Sequence, residues 1–433
     1  MGKNRYLLVL DYLPARINEL KIIKDYIKEK YSLDMVIISD MLSGLEKEFC
    51  QYVYHLPVSS PDYQEEVLKI LAALDMQCAC VLPFMDAVSG HAASIADKLG
   101  VYGDSPDLSF AGINKLKFRE QESVLARFLR AQSITLPKWM QIDNYEQLSD
   151  FFKSCPAGVV IKPVDGRANI GVRVVKHHSE LYQSYQNTLE VVSDSTIIAE
   201  ELIEFDSEFS FDGVGALSFL TQKFCQTGEY PVELGQIVPA QCSPSSALAL
   251  IKAGQSMNLI SGQRYGAFHN EIKLNSTTGQ TFLVETNRRP AGMRIWDMAN
   301  RVFGISLQKI WVDHLIQGYA DTLVIPQAMG SAFLINLVSP VDGTLSADKV
   351  QKEIQDKTAS LVNTLLAKYD YEIIDIKINI KGNSHLYRTP KTNNEFCGYV
   401  CVYIRDAKVD HIQLMNLINT SWQSMMNKEI INH

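Results

Sequence analysis

The run from Phe282 to Gly292, Phe-Leu-Val-Glu-Thr-Asn-Arg-Arg-Pro-Ala-Gly, limits what this chain can fold into more than any other segment. As a strand it carries Glu285, Asn287 and Arg289 on one face, because side chains alternate with period two. Two oxygen ligands beside a guanidinium suit a divalent metal and a phosphate. Magnesium takes oxygen ligands and shares them with substrate phosphates, and the planar fork of arginine fits phosphate or carboxylate oxygens. The opposite face, Val284, Thr286 and Arg288, is not cleanly apolar, so alternation alone does not establish the strand. A second carboxylate lies upstream, where Glu271 sits in Gly-Ala-Phe-His-Asn-Glu-Ile-Lys-Leu. The polar stretch Asn275 to Gln280 between them contains Gly279 and reads as a turn. A hairpin there brings Glu271 and Glu285 close, and with Asn287 they could hold magnesium ions against a triphosphate. A surface hairpin with solvated charges has the same pattern.

Three further segments bear on that choice. Val159-Val-Ile-Lys-Pro-Val-Asp-Gly166 ends a buried run on Lys162. Ile197 to Glu208, Ile-Ile-Ala-Glu-Glu-Leu-Ile-Glu-Phe-Asp-Ser-Glu, begins apolar and runs into an acidic cluster. Asn114-Lys-Leu-Lys-Phe-Arg119 carries two lysines and leads into a helical pattern from Phe118 to Leu129. Together with Glu-x-Asn-x-Arg-x-x-Gly and its Glu-bearing neighbour, these segments, in this order, resemble the ATP-grasp superfamily. The resemblance runs over nearly the whole chain, with its motifs between about residues 113 and 300.

The resemblance implies an α/β and α+β chain with the ATP-grasp fold. Its parts would be an N-terminal Rossmann-like parallel-sheet domain (1–112), a two-lobed nucleotide-binding region (113–324) and a C-terminal α+β domain (325–433). It implies ATP and Mg2+, with Mn2+ as a substitute, and Glu271, Glu285 and Asn287 as metal ligands. Lys115 and Lys162 would contact the nucleotide phosphates, with Lys117 the alternative to Lys115. Glu200, Glu201 and Ile203 would form the segment that reads adenine, and Glu208 would accept from the ribose hydroxyls. Arg289 would stabilise the charge of a phosphoryl group in transfer, with the backbone N–H of Gly292 at close range. Asp165 to Gly171 corresponds to a loop over the phosphates, with Arg167 and Asn169 where relatives carry glycine and serine. Gln236 stands where many relatives have a histidine, so no proton-transfer role carries over, and His269 and His91 are the remaining general-base candidates. Arg294 and Trp296 are either substrate-facing or structural.

The activity implied is an ADP-forming carboxylate–amine ligase, similar to the L-amino-acid ligases that make dipeptides. Its partners would be small carboxylates and amines, amino acids among them, and a homodimer is compatible with this. Another ATP-grasp reaction, purine-biosynthetic or carboxylase-type, and a nucleotide-binding protein without turnover are the alternatives.

Composition narrows the field further. A chain of 433 residues is too long for one ordinary core. A net charge of −8 argues against a nucleic-acid binder. No apolar run is long enough to span a bilayer, and the N-terminus lacks a signal-peptide cleavage pattern. With eight cysteines in no zinc-binding spacing, the expectation is a cytoplasmic protein with reduced, buried thiols. Strand and helix patterns alternate from Tyr6 to Leu99, which implies a parallel sheet. No Gly-x-Gly-x-x-Gly follows the first strand, which weakens an NAD-binding reading.

Overall fold

The computed structural model describes residues 4–166, 170–191, 196–228, 230–318, 322–405, 409–428 and 430–431. Arg167 and Asn169 of the expected phosphate loop lie outside the described residues.

The apolar runs near the N-terminus form a four-stranded parallel sheet, in the order Tyr52–His55, Asp34–Ser39, Arg5–Leu10, Gln77–Pro83. Near-continuous apolar strands need cover on both faces. Leu7, Val9, Ile37 and Leu82 pack against Leu20, Ile23 and Ile27 of helix Ile17–Tyr31 and against Trp311 and Leu315 of helix Leu307–Gln317. Leu8, Val36 and Val81 face helices Tyr63–Ala72 and Asp86–Lys98 through Val67, Leu71, Val88 and Ile95. A helix from late in the chain thus completes the core of the first sheet.

The second sheet has nine strands. Their order is Tyr371–Ile378, Gly398–Ile404, Ser331–Leu337, Glu233–Val238, Leu217–Cys225, Ser207–Val214, Ala267–Leu274, Thr281–Asn287, Ile134–Thr135. All neighbours are antiparallel except the last pair. Gln236 stands opposite Leu334, so the ladder runs through the 324/325 position without a break. One face is mostly apolar, with Asn270 and Thr286 buried in it and hydrogen-bonded to each other. Phe209, Phe211, Phe268 and Ile272 pack on helix Pro244–Ile260, and Phe333, Ile335, Val400 and Val402 pack on helices Gln351–Leu366 and His411–Met426. Gly254 lets the first of these helices come close, since a Cβ there would lie 2.2 Å from the Phe211 ring.

The other face is divided. Val214, Phe219, Val238, Ala332 and Leu334 are covered by helix Ile295–Phe303 through Trp296, Met298, Ala299 and Val302. Further along the same strands, at i±2 positions, the residues become Glu208, Ser210, Asp212, Thr221, Lys223, Gln236, His269, Glu271, Glu285 and Asn287.

A smaller antiparallel lobe, in the order Trp139–Ile142, Ile197–Glu201, Val159–Pro163, Arg173–Val175, carries Lys162 and Glu200. Helices Tyr145–Lys153 and His178–Val191 cover it with Leu148, Phe151, Leu181 and Tyr185. The first of these starts on Asn144, whose side chain accepts from the Gln147 N–H at 3.0 Å. The eight cysteines form no disulfide. Among the described residues no helix is long and apolar enough to cross a membrane.

Candidate nucleotide and metal site

The hairpin expected around Asn275 to Gln280 is present. Asn275 Oδ1 accepts from the N–H groups of Thr277 and Thr278 at 3.1 and 2.9 Å, and Gly279 takes a left-handed φ of 73°. The register sets Glu271 directly opposite Glu285 and His269 opposite Asn287, with an irregularity between Glu271 and Ile272. Asn287 Nδ2 donates to Glu285 Oε1 at 3.4 Å and to the His269 carbonyl at 3.3 Å. Lys115 Nζ lies 3.5 Å from Glu285 Oε2 and donates to the Gly166 carbonyl at 2.8 Å. Lys117 is exposed instead, its ammonium 4.9 Å from the centre of the Phe110 ring. Of the two candidate lysines, Lys115 is the one that reaches the carboxylates.

Next to Glu271 stands a residue the sequence reading passed over. Lys223 Nζ, with its side chain 3% exposed, lies 2.5 Å from Glu271 Oε1, 3.0 Å from Glu233 Oε1 and 3.9 Å from Glu208 Oε1. Burial alone would lower the lysine pKa, but Glu233, Glu271 and Glu208 together hold it well above the ordinary range. Burial opposes ionisation of Glu271, yet Lys223 and His269 keep its carboxyl well below the usual range. Glu208 goes the other way, pushed up by burial against the pull of Lys223. His269 donates toward carboxylates from both nitrogens, Nδ1 2.6 Å from Asp212 Oδ1 and Nε2 3.2 Å from Glu271 Oε1. Burial lowers its pKa, and Asp212 outweighs that, leaving it raised to about 9. Asp212 is itself fixed by the hydroxyls of Ser210 and Thr221 at 2.6 and 2.7 Å.

The end of strand Thr281–Asn287 is gripped by Asp86, the first residue of helix Asp86–Lys98. Asp86 accepts from the Arg288 backbone N–H at 2.9 Å and from Arg289 Nε at 2.6 Å, so one carboxylate sets both the chain direction and the guanidinium. Arg289 keeps a quarter of its side chain exposed. Arg288, the residue that spoiled the alternation, is buried and paired with Asp104. Gly292 faces open space, since an added Cβ would meet nothing nearer than Arg289 Nη1 at 3.9 Å. Met293 and Arg294 then take left-handed φ values of 48° and 59°, turning the chain into helix Ile295–Phe303. Arg294 donates to the Tyr399 hydroxyl at 3.0 Å and pairs with Asp375 at 2.5 Å. Trp296 is buried against Trp311 and belongs to the core. Gln236 is buried and donates to Glu233 Oε1 at 3.0 Å. His91 packs between Tyr63 and Phe110, away from these carboxylates.

Lys162 and Glu200 meet in a second buried cluster. Lys162 Nζ lies 2.7 Å from Glu200 Oε2, and Arg119 donates to Glu200 from Nε and Nη2 at 2.9 and 3.0 Å. Arg119 also binds Glu122 at 2.8 Å and the Leu283 carbonyl at 3.0 Å, tying this lobe to strand Thr281–Asn287. Burial would raise the Glu200 pKa, but Arg119 and Lys162 pull it down to about 2. Burial pushes the Lys162 ammonium down, against the attraction of Glu200. Glu201 pairs its backbone N–H with the Lys138 carbonyl at 2.8 Å, and Ile203 is half-buried just past the strand end. Glu208 is brought beside Glu271 through Lys223, whereas Glu200 and Glu201 belong to the other lobe.

The donor set fits magnesium with one condition. Among the described residues no group of three or more His, Cys, Asp or Glu side chains converges into a self-contained metal site. Glu271, Glu285 and the Asn287 amide supply oxygens on one face, a set that needs further ligands. That suits an ion that keeps waters and binds through one or two carboxylates plus substrate phosphates.

No protein-family model matches this sequence, and no curated protein sequence matches it. Solved structures do. The L-amino acid ligase from Bacillus licheniformis is similar over 100% of both chains, with a TM-score of 0.71 at 16% identity. The N5-carboxyaminoimidazole synthetase from Staphylococcus aureus, complexed with ADP, is similar over 97% of this chain and 99% of its own, with a TM-score of 0.64 at 12% identity. The biotin carboxylase from Campylobacter jejuni, a β-γ-ATP complex, is similar over 97% and 95%, with a TM-score of 0.63 at 13% identity. The chain has the fold of the ATP-grasp enzymes, from end to end.

Proposed function

We propose that this protein is an ATP-dependent carboxylate–amine ligase that forms ADP, acting on amino acids. The carrying observation is the hairpin register that sets Glu271 against Glu285, with Asn287 and Arg289 following on the same strand. Full-length similarity to an L-amino acid ligase supports the choice of substrates. Glu271, Glu285 and Asn287 would hold Mg2+, with Mn2+ able to replace it. The ion would neutralise phosphate charge as the phosphoryl group moves.

The remaining roles belong to the chain's own side chains. Lys115 and Lys162 bind the nucleotide phosphates, and the segment from Glu200 to Ile203 takes the adenine. Glu208 holds the ribose. Arg289, aimed by Asp86, stabilises the equatorial oxygens as a carboxylate oxygen attacks the γ-phosphorus and ADP leaves. The amine nitrogen of the second substrate then attacks the acyl carbon. The acyl C–O bond to phosphate breaks, an amide forms, and the amine proton passes to a base. Gly292 leaves room for the acylphosphate beside Arg289. We divide the chain functionally at 112/113 and 324/325, with the first segment aiming Arg289 and the last closing the substrate side.

The test is phosphate release from ATP over a matrix of paired amino acids, with product masses. Release that needs two amino acids and yields a dipeptide mass supports the reading. Release driven by bicarbonate, with no amino-acid dependence, would move the protein to the carboxylating enzymes of this fold.

A further inference from the structure

We propose that Lys223 is the built-in counter-ion of the carboxylate site, and that it keeps divalent cations out until the nucleotide arrives with them. This rests on reading Glu271 and Glu285 as metal ligands. Its ammonium sits 2.5 Å from Glu271 Oε1, and the same oxygen takes His269 Nε2 at 3.2 Å. One of the two oxygens Glu271 would offer a metal is therefore already shared by two nitrogen groups.

A divalent ion brought to Glu271 alone must compete with that ammonium and sit beside a like charge. Magnesium also dehydrates reluctantly, so two carboxylates and an amide compensate it poorly. A triphosphate changes the balance, because its oxygens add ligands and several negative charges at once.

Lys223 has somewhere to go when Glu271 is taken. Glu233 Oε1 lies 3.0 Å from its ammonium and Glu208 Oε1 3.9 Å. Glu233 is held from several sides. Gln236 donates to its carboxylate at 3.0 Å, Asn336 Nδ2 donates to its carbonyl at 2.6 Å, and its own N–H reaches Asn393 Oδ1 at 3.2 Å. A lysine suits this task better than an arginine, being a compact charge on a flexible stem that can change partners without a fixed fork geometry.

The probe is Mn2+, titrated into the nucleotide-free full-length protein and followed by the electron spin resonance of the unbound ion. Lys223→Met should bind Mn2+ roughly tenfold or more tightly than the native chain, and adding Glu285→Ala should remove that gain. With a non-hydrolysable ATP analogue present, native chain and Lys223→Met should differ much less. Native protein that binds Mn2+ without nucleotide as tightly as Lys223→Met overturns the inference while leaving the metal site standing. Mn2+ binding to the nucleotide complex that ignores Glu285→Ala removes the metal site itself. If Lys223→Met does not fold, the native chain decides. Nucleotide-free Mn2+ affinity that is weak supports the counter-ion, and tight affinity that Glu285→Ala abolishes refutes it.

Discussion

Two buried charge clusters serve the candidate site, and they are built by opposite rules. Around Arg119 the charges match, with Arg119 and Lys162 facing Glu122 and Glu200, all nearly sealed from solvent. Around Lys223 they do not, since one ammonium faces Glu208, Glu233 and Glu271. A matched cluster in low dielectric holds its members in place but asks for nothing more. An unmatched one holds carboxylates in excess of the positive charge beside them. The first cluster ties the small lobe to strand Thr281–Asn287, and the second gathers three carboxylates on one ammonium.

The largest effect should come from breaking the matched cluster. Arg119→Met leaves Glu122 and Glu200 buried with only Lys162 beside them. We expect a loss of about 3–5 kcal/mol in urea unfolding. A loss near zero would mean that the cluster is wetter than its burial implies. The unmatched cluster should respond in activity instead. Glu285→Ala, at a side chain one-third exposed, should lower magnesium-dependent phosphate release by about 100-fold while the melting temperature stays within about 2 °C. Equal losses of stability and activity would erase the contrast between the two clusters.

A smaller effect concerns pH. His269 is raised from 6.5 to about 9 by Asp212. Its folded form therefore binds the proton more tightly than the unfolded chain does. That contribution is fully present below pH 6.5 and is lost as pH rises through about 9. We expect the native chain to lose stability on the order of 3 kcal/mol across that window, and His269→Gln to show a flatter profile. A native profile as flat as that of the variant would show that Asp212 does not hold the proton there.

The contrast between the clusters also separates what was legible in the sequence from what was not. The hairpin was legible from its polar turn with Gly279 between two Glu-bearing runs, although Arg288 blurs the alternation. Helix Tyr145–Lys153 carries its own local signals, with Leu148 and Phe151 three apart on its buried face and Asn144 at its cap. Strands Ser207–Val214 and Leu217–Cys225 were not assigned. Their covered faces hold Ser210, Asp212, Thr221 and Lys223, so buried polar side chains hide the expected pattern. Lys223 went unseen for the same reason, although a lysine in the middle of an alternating run is a usable signal. Helix Ile295–Phe303 was also missed, though Ile295, Met298, Ala299 and Val302 have helical spacing. The pairing of Asp86 with Arg289 joins positions 203 apart in the chain, and nothing local announces it.

The most direct measurement is a crystal structure with a non-hydrolysable ATP analogue and Mn2+, located by anomalous scattering. The account predicts manganese between Glu271 and Glu285, touching phosphate oxygens, with the adenine ring beside Ile203 and Lys223 turned toward Glu233. Nucleotide bound at another surface, with neither carboxylate of the hairpin within reach of the metal, would contradict it.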